Sequence, residues 1–241
     1  MNSKASLVCA TPFQPGQPIA PWAGTPAQGS AIWLVRMPEL VAALDDRARA
    51  TLSAAERDRG LAIADDAARE TYFAIRAFVR HALGALLARP PGEVAFVFGP
   101  QGKPELSGAP VDLRFNLSHA GDLAALAVTE GASIGVDLER VREVQRFQRI
   151  ADRFFSESEK QALGALEGEA RALLFMRLWT AREAIVKATG EGVWAAFERI
   201  QLGVGSIGGG KASLRAMVPS GVRLGEVAAP DGYVGAVALL A

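Results

Sequence analysis

One stretch constrains the fold of this chain more than any other: Leu178-Trp179-Thr180-Ala181-Arg182-Glu183-Ala184-Ile185-Val186-Lys187-Ala188-Thr189-Gly190. It reads as the second half of a long helix, because alanine, leucine, glutamate and lysine dominate, proline is absent, and Gly190 stands where a helix would stop. At about 100° per residue, Leu174, Leu178, Ala181 and Ile185 fall on one stripe and predict its buried face. Glu183 and Lys187, four residues apart, share roughly the opposite face. Alone, such a pair is a solvated helix bridge. A second acidic cluster, Ile134-Gly135-Val136-Asp137-Leu138-Glu139, changes its meaning. Residues i and i+2 of a strand point the same way, so Asp137 and Glu139 present two carboxylates side by side. Three carboxylates on two rigid elements, with a lysine beside them, suit a hard divalent cation held against a phosphate.

Composition narrows the function classes. The 241 residues allow one large or two small domains with ample core. With 26 basic against 26 acidic residues, the chain has no bulk basic field for nucleic acid, although a local anion pocket stays open. Cys9 is the single cysteine, which excludes an internal disulfide framework and a cysteine-built zinc site and suits a reducing cytosol. No apolar run approaches the ~20 residues that span a bilayer. The patch Leu7-Val8-Cys9-Ala10 is too short for the core of a secretory signal. A cytoplasmic protein that works off the membrane is expected.

In chain order, residues 1–30 are rich in Pro, Gly, Gln, Ala and Ser and are expected to form a flexible or loosely packed lead-in, with Trp22 as its candidate anchor. Ala31 to Arg36 is the first strand, and Leu44 to Leu52 reads as helical. Ser53-Ala54-Ala55-Glu56 has capping-box spacing and opens a helix carrying Arg57 and Arg59. A further helix runs from about Ala67 to Leu87, where Pro90-Pro91 stops it. Phe73, Ala77, Arg80 and Leu83 to Leu87 suggest its buried side, while Arg69, Arg76 and Arg80 read as scattered positive charge. His81, on the same helix, reads as structural or solvated.

Val94 to Phe98 is a strand, followed by a Gly99 to Pro104 turn. Phe115 to Asp122 leads into the buried strand Leu123 to Val128, with His119 placed in a turn of Asn, Ser, Gly and Asp. Gly131 then turns the chain into the Ile134 to Glu139 strand. Phe147 to Phe155 is helical, Ser156-Glu157-Ser158-Glu159 is a second capping box, and Gly168 precedes the long helix. From Ile200 the chain is strand-like, with Gly208-Gly209-Gly210 as a hairpin turn. Strand, helices and strands thus occur twice. This order predicts an α+β fold of two similar halves, residues 31–129 and 130–241, without a sequence repeat between them. The second half carries the metal site.

Several motifs converge on one family. Gly135-Val136-Asp137-Leu138-Glu139 and Trp179-Thr180-Ala181-Arg182-Glu183-Ala184-Ile185-Val186-Lys187 resemble the two signatures of the 4′-phosphopantetheinyl transferases, roughly G-[VI]-D-x-E and W-x-x-[KR]-E-[AS]-x-x-K. Arg153-Phe154-Phe155-Ser156 with Glu159 resembles the family's R-F-F-S-x-x-E segment. Gly102-Lys103-Pro104 and Phe115-Asn116-Leu117-Ser118-His119 resemble its G-K-P and F-N-[IL]-S-H elements. The length and two-half layout resemble the monomeric, two-lobed (Sfp-type) branch, which implies halves related by a pseudo-twofold.

The resemblance implies transfer of 4′-phosphopantetheine from coenzyme A to a serine of a transiently bound apo acyl or peptidyl carrier protein, releasing 3′,5′-ADP. Coenzyme A would lie in a cleft between the halves. Asp137, Glu139 and Glu183 match the family's magnesium ligands, and Lys187 its diphosphate-contacting lysine. Ser118, His119 and Lys103 match residues that hold the 3′-phosphoadenosine end. Arg59 and Arg76 fall where the family places basic phosphate contacts, while Glu56 sits where some relatives have lysine. The chemistry is consistent with these residues: Asp137, Glu183 and Lys187 would act at the reacting phosphate, and Glu183, directly or through a water, is the nearest candidate base. Two other readings use the same residues. One is a magnesium-dependent phosphohydrolase acting on a nucleotide; the other is a coenzyme A or carrier-protein binding module without turnover. Which carrier is served is not written in the sequence.

Overall fold

The computed structural model describes residues 10–12, 30–109, 111–144, 147–190, 197, 199–208, 211–217 and 221–240. The first half runs β1 (Ala10–Pro12), β2 (Ala31–Arg36), α1 (Met37–Ala42), α2 (Asp46–Ala50), α3 (Ala54–Leu61), α4 (Asp66–Leu86), β3 (Ala95–Phe98), β4 (Pro104–Ser107), β5 (Leu113–Ala120) and β6 (Leu123–Glu130). The second runs β7 (Ser133–Arg140), α5 (Phe147–Phe154), α6 (Glu157–Gly164), α7 (Gly168–Thr189), β8 (Gln201–Gly208), β9 (Lys211–Met217), β10 (Val222–Val227) and β11 (Tyr233–Leu240). Each half spells strand, helices, hairpin, two strands. The sheets repeat too, β2-β6-β5 in one half and β7-β11-β10 in the other, with every one of these pairings antiparallel. Only β1, parallel to β2, extends one of them. The fold is α+β, built from two halves of one topology.

Alternation along the strands decides which face meets what. Ile32 and Leu34 on β2, with Leu123, Ala125 and Ala127 on β6, face Ile134, Val136 and Leu138 of β7 and Leu239 of β11. The two sheets therefore press together through these faces. On the outer face of the first sheet, Trp33, Val35, Ala124, Leu126 and Val128 receive Ala74, Phe78 and Ala82 of α4. On the outer face of the second, Ala236 and Ala238 receive α7 through Leu174, Leu178, Ala181 and Ile185. That is the predicted stripe, and Gly190 ends the helix with φ 71°, a left-handed geometry glycine adopts without strain.

Both predicted capping boxes form, and each does more than cap. Glu56 closes the box on Ser53 and accepts from Arg80 Nε at 2.7 Å. Glu159 closes the box on Ser156 and accepts from Arg182 Nη2 at 2.6 and 2.8 Å. In both halves a short helix is thus pinned to the long one by an ion pair, part-buried in the first half and fully buried in the second. Arg80, read from sequence both on the buried side of its helix and as part of a scattered positive charge, is buried and is one of these structural partners.

Other expectations need correction. The Leu44 to Leu52 helix contracts to α2, because the Asp45 carboxylate takes the Ala48 N–H at 2.7 Å and fixes the start there. Helix α1, opened by Pro38, was not anticipated. His119 lies on β5, paired in register with Ala124, and not in a turn; the alternation of Phe115 and Leu117 with Asn116 and Ser118 is a strand pattern. The lead-in falls outside the described residues apart from 10–12 and 30, as do Trp22 and residues 209–210 of the glycine turn. Among the described residues, no helix is long and apolar enough to cross a membrane.

Candidate active site

The site begins at a glycine. A Cβ on Gly135 would fall on the Ala184 carbonyl oxygen and the Ala188 amide, and 2.8 Å from the Lys187 carbonyl carbon. Its absence lets β7 run directly beneath the last turns of α7, and two residues on, Asp137 lies under Lys187. Lys187 Nζ donates to Asp137 Oδ1 at 2.7 Å. The same oxygen accepts from Ser118 Oγ at 3.0 Å. Asp137 Oδ2 is buried and has no hydrogen-bond partner.

Glu139, on the same strand face, and Glu183, on α7, complete an acidic group around Lys187. Burial pushes all three carboxyls above the usual carboxylate range. The Asp137 charge raises Glu139 further, and Asp137 and Glu139 together raise Glu183, while Lys187 pulls each of the three back. Lys187 faces all three carboxyls and Arg142 acts on Glu139 alone, which leaves a deficit of positive charge. Among the described residues, no three His, Cys, Asp or Glu side chains stand close enough together to hold a metal ion as they are. An unpartnered Asp137 Oδ2 beside two mutually repelling carboxylates nevertheless fits a divalent cation by charge and by donor type.

A basic flank adjoins the acids. His119 is exposed on β5; partial desolvation lowers its pKa, and repulsion from Lys187 and Arg76 lowers it further. Lys187 and Arg76 give the flank its positive character, with Arg76 also lying 5.3 Å over the Tyr72 ring. Lys103, after the β3–β4 turn, donates to the backbone oxygens of Lys187 at 2.6 Å and Ile134 at 3.1 Å. It thereby ties the first-half hairpin to the last turn of α7, a favourable place for a cation. Burial lowers its pKa. Arg59 is exposed on α3, and no bond joins it to the cluster. The structure thus brings together Asp137, Glu139, Glu183, Lys187, Ser118, His119 and Arg76, places Lys103 at their edge, and leaves Arg59 apart.

Two structural roles escaped the sequence reading, one of them shared by Asn116 and Ser118 on β5. Asn116 Oδ1 accepts the Val136 N–H at 2.9 Å, and Ser118 Oγ accepts the Leu138 N–H at 3.3 Å. These side chains satisfy alternate donors on the edge of β7 away from β11, standing in for a strand and joining the two sheets beside the acids. The available signal was two polar residues, i and i+2, inside an apolar strand. Arg182, next to Glu183, is the other; it anchors α7 through Glu159, which also accepts the Leu202 N–H at 2.9 Å.

Known proteins with similar sequences share this region. A family profile for the 4′-phosphopantetheinyl transferase superfamily matches residues 133–238. The 4′-phosphopantetheinyl transferase HetI of a Nostoc strain is 37% identical over 173 residues, 71% of this chain and 72% of that protein. A Synechocystis protein provisionally given the same activity is 37% identical over 150 residues, 60% of this chain and 59% of its own length. The 4′-phosphopantetheinyl transferase AcpT of Salmonella typhimurium is 41% identical over 99 residues, 41% of this chain and 50% of its own. The matches thus span from 50% to 72% of these relatives.

Proposed function

The chain belongs to the 4′-phosphopantetheinyl transferase superfamily, and on that premise we propose that it transfers 4′-phosphopantetheine from coenzyme A to a serine of an apo acyl or peptidyl carrier protein. The observation that carries the reading is the buried, unpartnered Asp137 Oδ2 within an acidic cluster, flanked by Lys187, His119 and Arg76. The serine oxygen bonds to the phosphorus bearing the pantetheine arm, the bond to the bridging oxygen breaks, and 3′,5′-ADP leaves with the electron pair. Asp137, Glu139 and Glu183 are the residues that would hold magnesium. When bound there, it supplies charge neutralisation for the diphosphate oxygens.

Lys187 is the more open side of its pair with Asp137, its side chain 29% exposed against 7%. Two of its three N–H donors go to Asp137 and Ser118, and the third can reach a phosphate oxygen and stabilise the charge that grows in the transition state. Glu183 accepts the serine proton; a carboxyl whose pKa is raised toward the working pH is the better base. His119, held neutral by its surroundings, charges when a phosphate dianion arrives and with Arg76 grips the 3′-phosphate. The protein acts as a cytoplasmic monomer that meets its carrier transiently, with coenzyme A between the halves.

Incubation with coenzyme A, magnesium and an apo carrier, read by intact mass, tests this. A phosphopantetheine-sized gain on the carrier is expected. Release of 3′,5′-ADP with no gain on the carrier would make the protein a phosphohydrolase, and binding without turnover would make it a binding module.

A further inference from the structure

Ser118 belongs to a motif whose resemblance assigns it to the 3′-phosphoadenosine end of coenzyme A, yet its hydroxyl is fully engaged inside the protein. A serine oxygen has one proton to give and two lone pairs to offer. The proton goes to Asp137 Oδ1 at 3.0 Å. The lone pairs take the Leu138 N–H at 3.3 Å and Lys187 Nζ at 3.2 Å. The residue is 7% exposed. No donor or acceptor capacity is left for a phosphate. Its next neighbour, His119, alternates to the opposite face of β5, so the two side chains of the Ser-His pair cannot face one ligand from the same side of the strand.

From this geometry we propose that Ser118 is a positioning residue for Asp137 and not a coenzyme A contact. It grips Oδ1 from β5 while Lys187 grips it from α7, so the carboxylate plane is fixed and Oδ2 is left as the oxygen available to a cation. The hydrogen bond from Leu138 in turn fixes Ser118 to the strand that carries Asp137. The first half thus supports a ligand borne by the second. This inference rests on the transferase reading given above.

The test uses the full chain and Mn2+ as the probe, with binding followed by calorimetry in the presence of coenzyme A and kinetics followed by carrier mass. For Ser118→Ala we expect Mn2+ affinity to fall about tenfold or more, as for other groups that orient a metal ligand. We expect kcat to fall with it and KM for coenzyme A to stay within about twofold, since no binding contact has been removed. Ser118→Cys, of similar shape and weaker hydrogen bonding, should shift Mn2+ affinity in the same direction by less, and it decides the question if the alanine variant does not fold. Unchanged Mn2+ affinity in the folded variants would overturn the proposal. So would a rise in KM for coenzyme A that is absent with 3′-dephospho-coenzyme A, since that places Ser118 on the 3′-phosphate. A wild-type protein that binds Mn2+ but loads no carrier defeats the transferase reading instead, and the Mn2+ comparison still decides the role of Ser118.

Discussion

The three raised carboxyls state at residue scale what the site costs. A carboxyl whose folded pKa lies above its unfolded value, about 4.3 for glutamate, binds more protons in the folded state between those two values. Stability therefore declines as pH rises through that window and stays lower at neutral pH. Glu183 is such a group, raised by burial and then by Asp137 and Glu139. Glu183→Gln should melt higher than wild type at pH 7 with metal chelated, and its advantage should vanish below about pH 4. Melting curves across that range check this; an equal or lower melting point at pH 7 would mean that Glu183 carries no strain. His119→Ala should raise KM for coenzyme A and leave KM for 3′-dephospho-coenzyme A unchanged, as steady-state kinetics with both would reveal. Much of this cluster was legible because i, i+2 spacing on a strand and i, i+4 spacing on a helix are local rules. Which face of β5 Ser118 and His119 would use was not, because that required knowing that the stretch is a strand.

Elements were legible where side-chain chemistry decides them locally. The two capping boxes, the α7 stripe and its Gly190 stop all formed as read. Failures came where a short segment was settled by its neighbours: α2 shrank to its Asp45 cap, and β5 was misread as a turn. The Glu159–Arg182 pair also lay beyond reach, since exposed capping glutamates and buried ones look alike in sequence. Both its side chains are 0% exposed. Removing one charge leaves the other buried and alone, so Glu159→Gln should cost about 3–5 kcal/mol of stability. Urea unfolding measures this directly. A loss below about 1 kcal/mol would rank the pair with ordinary surface bridges.

Across the whole molecule, two halves of one topology hold a site to which they contribute unequally. The second supplies Asp137, Glu139, Glu183 and Lys187; the first supplies Ser118, His119, Arg76 and the Lys103 strut. No repeat of residues announces the duplication, but an echo does exist. Ser53-x-x-Glu56 reaches Arg80 at a separation of 24, and Ser156-x-x-Glu159 reaches Arg182 at 23. Beside Arg182 stands Glu183; beside Arg80 stands His81, so the acidic chemistry sits in one half only. The central claim is that the charges on α7 work at that site and are not a helix-surface pair. Exchanging them, Glu183→Lys with Lys187→Glu, is the most direct measurement. A surface pair would cost under about 1 kcal/mol and leave activity alone. The account predicts that carrier loading with coenzyme A and magnesium falls at least about a thousandfold, equivalent to about 4 kcal/mol, and that the melting temperature drops as the buried Asp137 loses its Lys187 partner. A folded double variant that loads its carrier at near wild-type rate would contradict it.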